Sequence, residues 1–448
     1  MTGTNPLTRR RLLAATGLTA IGGVLGSTGV IGNLAPSEGY DPREPGWRPA
    51  EDPPTEASVT TTAAITDLEI PWDLEFAGED VFLTERRGSV CRLDADELVT
   101  GQGLGLADGE VLFDEDLPYL EAVGEGGALG VTAHPSYPDP RQIFVYYTAD
   151  DGDLHNRLIR YDLDADEVTT LFDDVPAGEI HQGGRLEFGP KGYLWVTIGD
   201  AVEEYNATGV EVSQDPGSRR GVVFRLTTDG EPAPDNPNIG PNADPRAYAY
   251  GFRNPQGLAF TPDGEAVLTE HGPDGRDEVH VLAPGSNYGW GIARGGPDDP
   301  DLESYTDHDE FAAPIVNTGP EEGEKTWDPL DTWAPSGAAF YTDDAVPEFR
   351  NRVLVAGLRS QTLFAVSLYP AGADVPTDPD ATVHDADWLD GRYTAVVHEL
   401  LEGEFGRLRH VEQGPNGELF LLTGNRQDWS PPGHPTETDD RVIRVDPA

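Results

Sequence analysis

From about residue 65 onward, short apolar runs recur between turns built from Gly, Pro, Asp and Asn. The runs EFAGEDVFLTERRG (75–88), HPSYPDPRQIFVYYTADDG (134–152) and EFGPKGYLWVTIGD (187–200) share this form. AFTPDGEAVLTEHG (259–272), EFRNRVLVAGLRSQ (348–361) and EQGPNGELFLLTGN (412–425) repeat it. Each is followed by another apolar or β-branched run, such as SVCRLD, RLIRYDL, GVVFRLTTDG, EVHVL, LFAVSL or RVIRVD. Alternation of apolar and polar positions between turn residues is the signature of strands, and no long stretch outside the amino end carries the helical period. Six similar units, each long enough for a small sheet, predict an all-β chain: a six-bladed β-propeller of four-stranded antiparallel blades. A pair of sandwiches is the alternative, and six similar units argue against it. The acidic stretch 295–325 reads as an insertion lying over one face.

The amino end breaks the pattern. Thr8-Arg9-Arg10-Arg11-Leu12-Leu13 precedes a run rich in Gly, Ala and Thr. A charged segment followed by a weakly apolar one reads as an export signal, and the paired arginines fit the twin-arginine type that carries folded proteins to the cell surface or beyond. A permanent membrane span is not expected, because the run is weakly hydrophobic and lacks aromatic anchors. The expected organisation is a signal segment over 1–32, an acidic Pro/Thr-rich linker over 33–65 and the propeller over 66–446. Asn206-Ala207-Thr208 is a glycosylation sequon in a loop.

Composition changes the picture in two ways. The formal net charge is −51, from 81 acidic and 30 basic residues, and the lysines are Lys191 and Lys325 alone. Such a chain offers no basic face for nucleic acid. Its 8 tryptophans and regular strand pattern mark a folded protein rather than an acidic disordered one; adaptation to high salt, where counterions screen the self-repulsion, is the expected reason for the charge. Cys91 is the single cysteine, so no intramolecular disulfide forms.

Candidate chemistry collects in a few loops. Arg253-Asn254-Pro255 stands close to EHGP (270–273) and NYGW (287–290). Oxygen-rich loops of this kind suit a hard cation, and an arginine suits a carboxylate. His181 precedes two glycines and a strand, and on the residues alone it is either a proton-transferring group or a histidine satisfied in a turn. Arg407-Leu408-Arg409 precedes a strand; period two puts both guanidinium groups on one side, where they bind an anion or pair with surface acids.

The runs PWDLEF, GEGGALG, HQGGRLEF, GFRNPQG, EHGP, NYGWG, APSG (334–337) and RLR, in this order, resemble the glucose/sorbosone dehydrogenase family over about residues 66 to 446. These are soluble sugar dehydrogenases that use pyrroloquinoline quinone (PQQ), and the resemblance implies the same propeller. It also implies PQQ and Ca2+ as cofactors, a small-molecule sugar as substrate, and an external electron acceptor. By this resemblance His181 is the general base, and Arg253 both contacts and polarises the cofactor. Asn254, Arg407 and Arg409 contact PQQ, as does Arg359, which stands where the family usually has lysine. Gly272 and Pro273 supply backbone carbonyls to the catalytic calcium; Glu278 and the Tyr288 carbonyl belong to a second calcium site. Glu125 is a further cofactor-contact candidate; it stands where the family has glutamine, and a carboxylate there repels an anionic cofactor unless it is protonated or paired. Tyr305 is a candidate for an aromatic near the quinone. The implied reaction is oxidation of an aldose at C1 to the lactone. A non-catalytic sugar- or protein-binding propeller and a calcium-dependent propeller lactonase remain the alternatives.

Overall fold

The computed structural model describes residues 46–202, 210–273, 275–297, 303–319, 332–427 and 430–448. The signal segment and the Asn206 sequon lie outside the described residues. Six antiparallel sheets form the blades of a propeller. The first is Pro71–Ala77, Asp80–Glu85, Val90–Asp94 and Glu110–Phe113; the second is Ala128–Ala133, Gln142–Asp150, Leu154–Asp162 and Glu167–Pro176. The third is Leu186–Phe188, Leu194–Ile198, Val222–Leu226 and Ala247–Tyr250; the fourth is Pro255–Phe260, Ala266–Glu270, Glu278–Val281 and Val316–Asn317. The fifth runs Pro335–Tyr341, Arg352–Gly357, Leu363–Pro370 and Tyr393–Leu400, with Ala381–His384 as an added edge. The sixth is Leu408–Gln413, Leu419–Thr423 and Val442–Pro447, completed by Val59–Ile65.

That last pairing corrects the expected linker. Residues 46–65 are not a solvated spacer: Val59–Ile65 is the outer strand of the sixth blade, pairing Val59 with Pro447 through Ile65 with Val442. Closing the ring between chain ends removes two sheet edges at once. Ahead of this strand, Trp47 packs edge-on against Phe340 at 5.0 Å, and Arg352 donates to the carbonyls of Ala50 and Asp52. The insertion is also corrected in part, because Val316–Asn317 is the outer strand of blade four rather than a cover over a face.

Six apolar clusters hold the ring, one between each pair of adjacent blades. A blade is therefore covered on both faces. The second strands accordingly read as continuous buried runs such as Leu194–Ile198 and Arg352–Gly357 rather than as alternating ones. The first strand of each blade lines the central axis and lacks a partner on its inner edge. Pro71, Pro255 and Pro335 open three of these strands, where a missing N–H costs no ladder bond. In five of the six blades the first strand also shifts register near its start, between Pro71/Asp73, Ala128/Val131, Pro255/Gly257, Pro335/Ala338 and Leu408/His410. Bulges at one end of every such strand turn side chains toward the axis there.

Candidate active site

The bulged ends meet in a polar layer around the axis. Asp73 accepts from Arg185, whose guanidinium also donates to the Gln256 carbonyl at 3.1 Å and lies over the Trp72 ring. Arg409 donates to Gln256 at 2.7 Å and to Ser336 at 3.3 Å. The bulge after Leu408 sends neighbouring residues the same way: Arg409 reaches Gln256, while His410 Nε2 lies 3.4 Å from Asp73. Strict period two, the basis of the sequence reading, does not hold there.

His181 lies beside this layer on the loop before blade three, buried, with φ of 62°. A side chain in the left-handed region is uncommon and is held by its surroundings. The glycines that follow are required by close approach. A Cβ on Gly183 would meet the Thr197 carbonyl at 2.6 Å, and one on Gly184 would meet Leu129 at 2.8 Å. The imidazole Nδ1 donates to Asp200 Oδ1 at 2.7 Å, and Asp200 Oδ2 accepts from Trp290 Nε1 at 2.8 Å. Asp200 is fully buried, and its own N–H bonds the Arg253 carbonyl at 2.7 Å. A carboxylate on Nδ1 fixes the tautomer, which makes Nε2 the basic nitrogen of the neutral ring. Glu125 does not stand apart as a repelling charge, since its Oε2 accepts from the His181 N–H at 2.8 Å.

The arginines gather around this histidine. Burial first, then the neighbouring Arg407 and Arg86, push the Arg409 guanidinium down to about 9. His271 is driven well below the ordinary histidine value, by burial and then by Arg409 and Arg253. Arg253 donates to the His271 carbonyl at 3.2 Å and lies over Trp290. Asn254 accepts from the Gly183 N–H at 3.1 Å. Arg359 is half-buried on the loop after the second strand of blade five, its N–H on the Trp333 carbonyl. Among the described residues, several buried polar nitrogens here have no hydrogen-bond partner: Asn254 Nδ2, His271 Nε2, Arg409 Nε and Gln427 Nε2. Unsatisfied donors among clustered guanidinium groups fit a multiply charged, oxygen-rich anion, and PQQ with its three carboxylates has that chemistry.

Gly272 and Pro273 line a cavity with Glu270, His271, Trp290 and Tyr305. Asp277 braces their loop, accepting from Gly272 N–H at 2.9 Å, Trp333 N–H at 2.7 Å and Ala334 N–H at 3.0 Å. The Pro273 carbonyl takes an Arg276 guanidinium N–H at 3.3 Å, which leaves it a second lone pair. Glu278 and Tyr288 do not form an all-oxygen set. The Tyr305 hydroxyl lies 2.8 Å from the Tyr288 carbonyl and 3.3 Å from Glu278, and His280 Nε2 is 3.3 Å from Glu278 Oε2. Tyr305 itself stacks on Trp388 at 6.1 Å.

Sequence reasoning missed Asp200, Gln256, Glu270 and His280. Asp200 had a legible signal, because it stands two residues beyond the strand paired with the one that follows His181 (Leu186 with Val196), so the hairpin returns it to the same loop.

Comparison with known proteins gives matches over most of the chain. The family model described as Glucose / Sorbosone dehydrogenase matches residues 68–429. Aldose sugar dehydrogenase YliI of Escherichia coli is 31% identical over 381 residues, covering 82% of this chain and 90% of that protein. Quinoprotein glucose dehydrogenase B of Acinetobacter calcoaceticus is 29% identical, covering 56% of this chain and 66% of that protein. The PQQ-bound structure of an aldose sugar dehydrogenase from Streptomyces coelicolor superposes with a TM-score of 0.64 at 28% identity, over 88% of this chain and 99% of that one.

Proposed function

Because the chain belongs to the glucose/sorbosone dehydrogenase family, we propose that it oxidises an aldose at C1 to the lactone with PQQ and calcium as cofactors. The observation that carries the reading is the buried His181–Asp200–Trp290 chain set among Arg253, Arg407 and Arg409. When bound, the quinone supplies the two-electron acceptor for the C1 hydride, and calcium at the Gly272 and Pro273 carbonyls adds Lewis acidity.

The chain's own residues do the rest. His181 Nε2 takes the proton of the C1 hydroxyl, and Asp200 holds the ring in the tautomer that allows it and stabilises the charge that results. Arg407, Arg409 and Asn254 hold the cofactor's carboxylates and oxygens; Arg253, fixed against Trp290, stands where negative charge develops. Glu125 acts through the His181 backbone rather than on the cofactor. The same reading takes residues 1–32 as a twin-arginine export signal. Among the described residues no helix is long and apolar enough to cross a membrane.

The test is reduction of an artificial electron acceptor by purified protein across an aldose panel, with and without PQQ and calcium. Activity that requires both supports the proposal. Absence of PQQ-dependent activity on every aldose, or lactone hydrolysis without an acceptor, rejects it.

A further inference from the structure

The face of blade four that carries Glu278 has a charge problem. Glu270 and Glu278 are directly opposite each other in the antiparallel pair, and both are buried. Like charges in register destabilise a sheet, and burial removes the water that would screen them. His280, two residues along the same strand and wholly buried, points to the same face. Its Nε2 lies 3.3 Å from Glu270 Oε2 and 3.3 Å from Glu278 Oε2.

One N–H does not serve two carboxylates well. A charge-assisted bond is about 2.7–2.9 Å, and both contacts are longer. An imidazolium would also leave one of the two negative charges uncompensated. The spacing suits a different arrangement. With metal–ligand bonds of about 2.0–2.2 Å, neighbouring ligand atoms around an octahedral or tetrahedral ion stand about 2.8–3.6 Å apart. Both His280 contacts fall in that range and the ligand atoms of all three residues lie within 4.8 Å of one another, so Glu270, Glu278 and His280 offer one face of a coordination shell, and a divalent ion there leaves no net charge. The remaining ligand oxygens are held elsewhere, Glu270 Oε1 by the Arg253 N–H and Glu278 Oε1 by Asn317 at 2.8 Å. The cavity reaches both carboxylates, which gives an ion a route in.

We propose that Glu270, Glu278 and His280 bind a divalent first-row transition ion of the Zn2+, Co2+ or Mn2+ class. The imidazole decides the class, because calcium prefers oxygen alone while nitrogen favours these ions. This differs from the second calcium site that the sequence resemblance implied. The ion clamps strands two and three of blade four, and through Glu270 it fixes the backbone at Arg253.

The test needs neither quinone nor sugar, so its outcome is separable from that of the proposed reaction. Chelator-treated full-length protein is titrated with Co2+ and read by visible absorption, then with Zn2+ by calorimetry and elemental analysis, all in excess Ca2+. The expected result is one equivalent of each ion, a Co2+ ligand-field band, and loss of both in His280→Asn and Glu270→Gln. No stoichiometric binding to the parent protein overturns the proposal, a result that does not depend on whether the variants fold. Binding unchanged in folded His280→Asn, or displaced by equimolar Ca2+, overturns it as well.

Discussion

The two ends of the central axis differ in charge. Toward the bulged end stand Arg185, Arg407 and Arg409, with Arg253 and His181 beside them. Further along the axis, the first strands of blades one, three and six present Glu75, Glu187 and Glu412, all half-buried. Both ends confine like charges, and they resolve the conflict differently. A carboxylate can take a proton. Burial first, then Asp73, pushes Glu75 up to about 8; burial and the neighbouring acids raise Glu187 and Glu412 well above the usual carboxylate range. Guanidinium groups hold their protons, so the other end keeps its charge and its unmatched donors until an anion arrives. The comparison separates a cluster that is relieved from within from one built for a ligand.

The largest expected effect is at the cationic end. His181→Ala should lower kcat by about 10²–10⁴-fold, the usual worth of a general base, while PQQ binding stays near that of the parent. Stopped-flow acceptor reduction beside PQQ titration reads both; near-full turnover would remove His181 from the role. Asp200→Asn should lower kcat by a comparable factor with little change in KM, because an amide no longer fixes the imidazole tautomer. Rescue by Asp200→Glu would separate positioning from simple loss of fold.

Next comes the anion site itself. Arg409→Ala should weaken PQQ by about 1.5–3 kcal/mol, the worth of a charged hydrogen bond, with activity recovered at excess PQQ.

The smallest effect belongs to the acidic end and appears in stability. Glu75 ionises near 4.5 when unfolded and near about 8 when folded, so the folded state holds the extra proton between these values. Stability then falls as pH rises through that window. Glu75→Gln should flatten the decline, visible as a Tm that changes less between pH 4.5 and 8 than in the parent. A parallel dependence in both proteins would show that the lower carboxylates titrate normally.

Much of this was legible in the chain. Turn residues around six apolar runs announced the blades, and the ordered motifs located His181, Arg253 and Arg409. The amino-terminal strand was not, because VTTTAAI follows an acidic, proline-rich stretch and gains its order only by pairing with Val442–Pro447. The bulge at Leu408 was hidden too, since it depends on how the strand meets its neighbour. The charged layers were readable in principle. PWDLEF and GGRLEF each place charged residues two apart, Asp73 with Glu75 and Arg185 with Glu187, which is the strand period. Their meaning emerges only when six strands converge on one axis. His280 offered no pattern of its own, because its role comes from the residue opposite Glu278.

The most direct test of the account is one titration on three proteins: PQQ binding to the parent, to Arg409→Ala and to Glu187→Gln, in the presence of calcium. The account predicts saturable binding to the parent, affinity about ten- to a hundredfold weaker in Arg409→Ala, in line with a charged hydrogen bond, and parental affinity in Glu187→Gln. Equal affinity in the parent and Arg409→Ala, or no saturable binding to either, would contradict it.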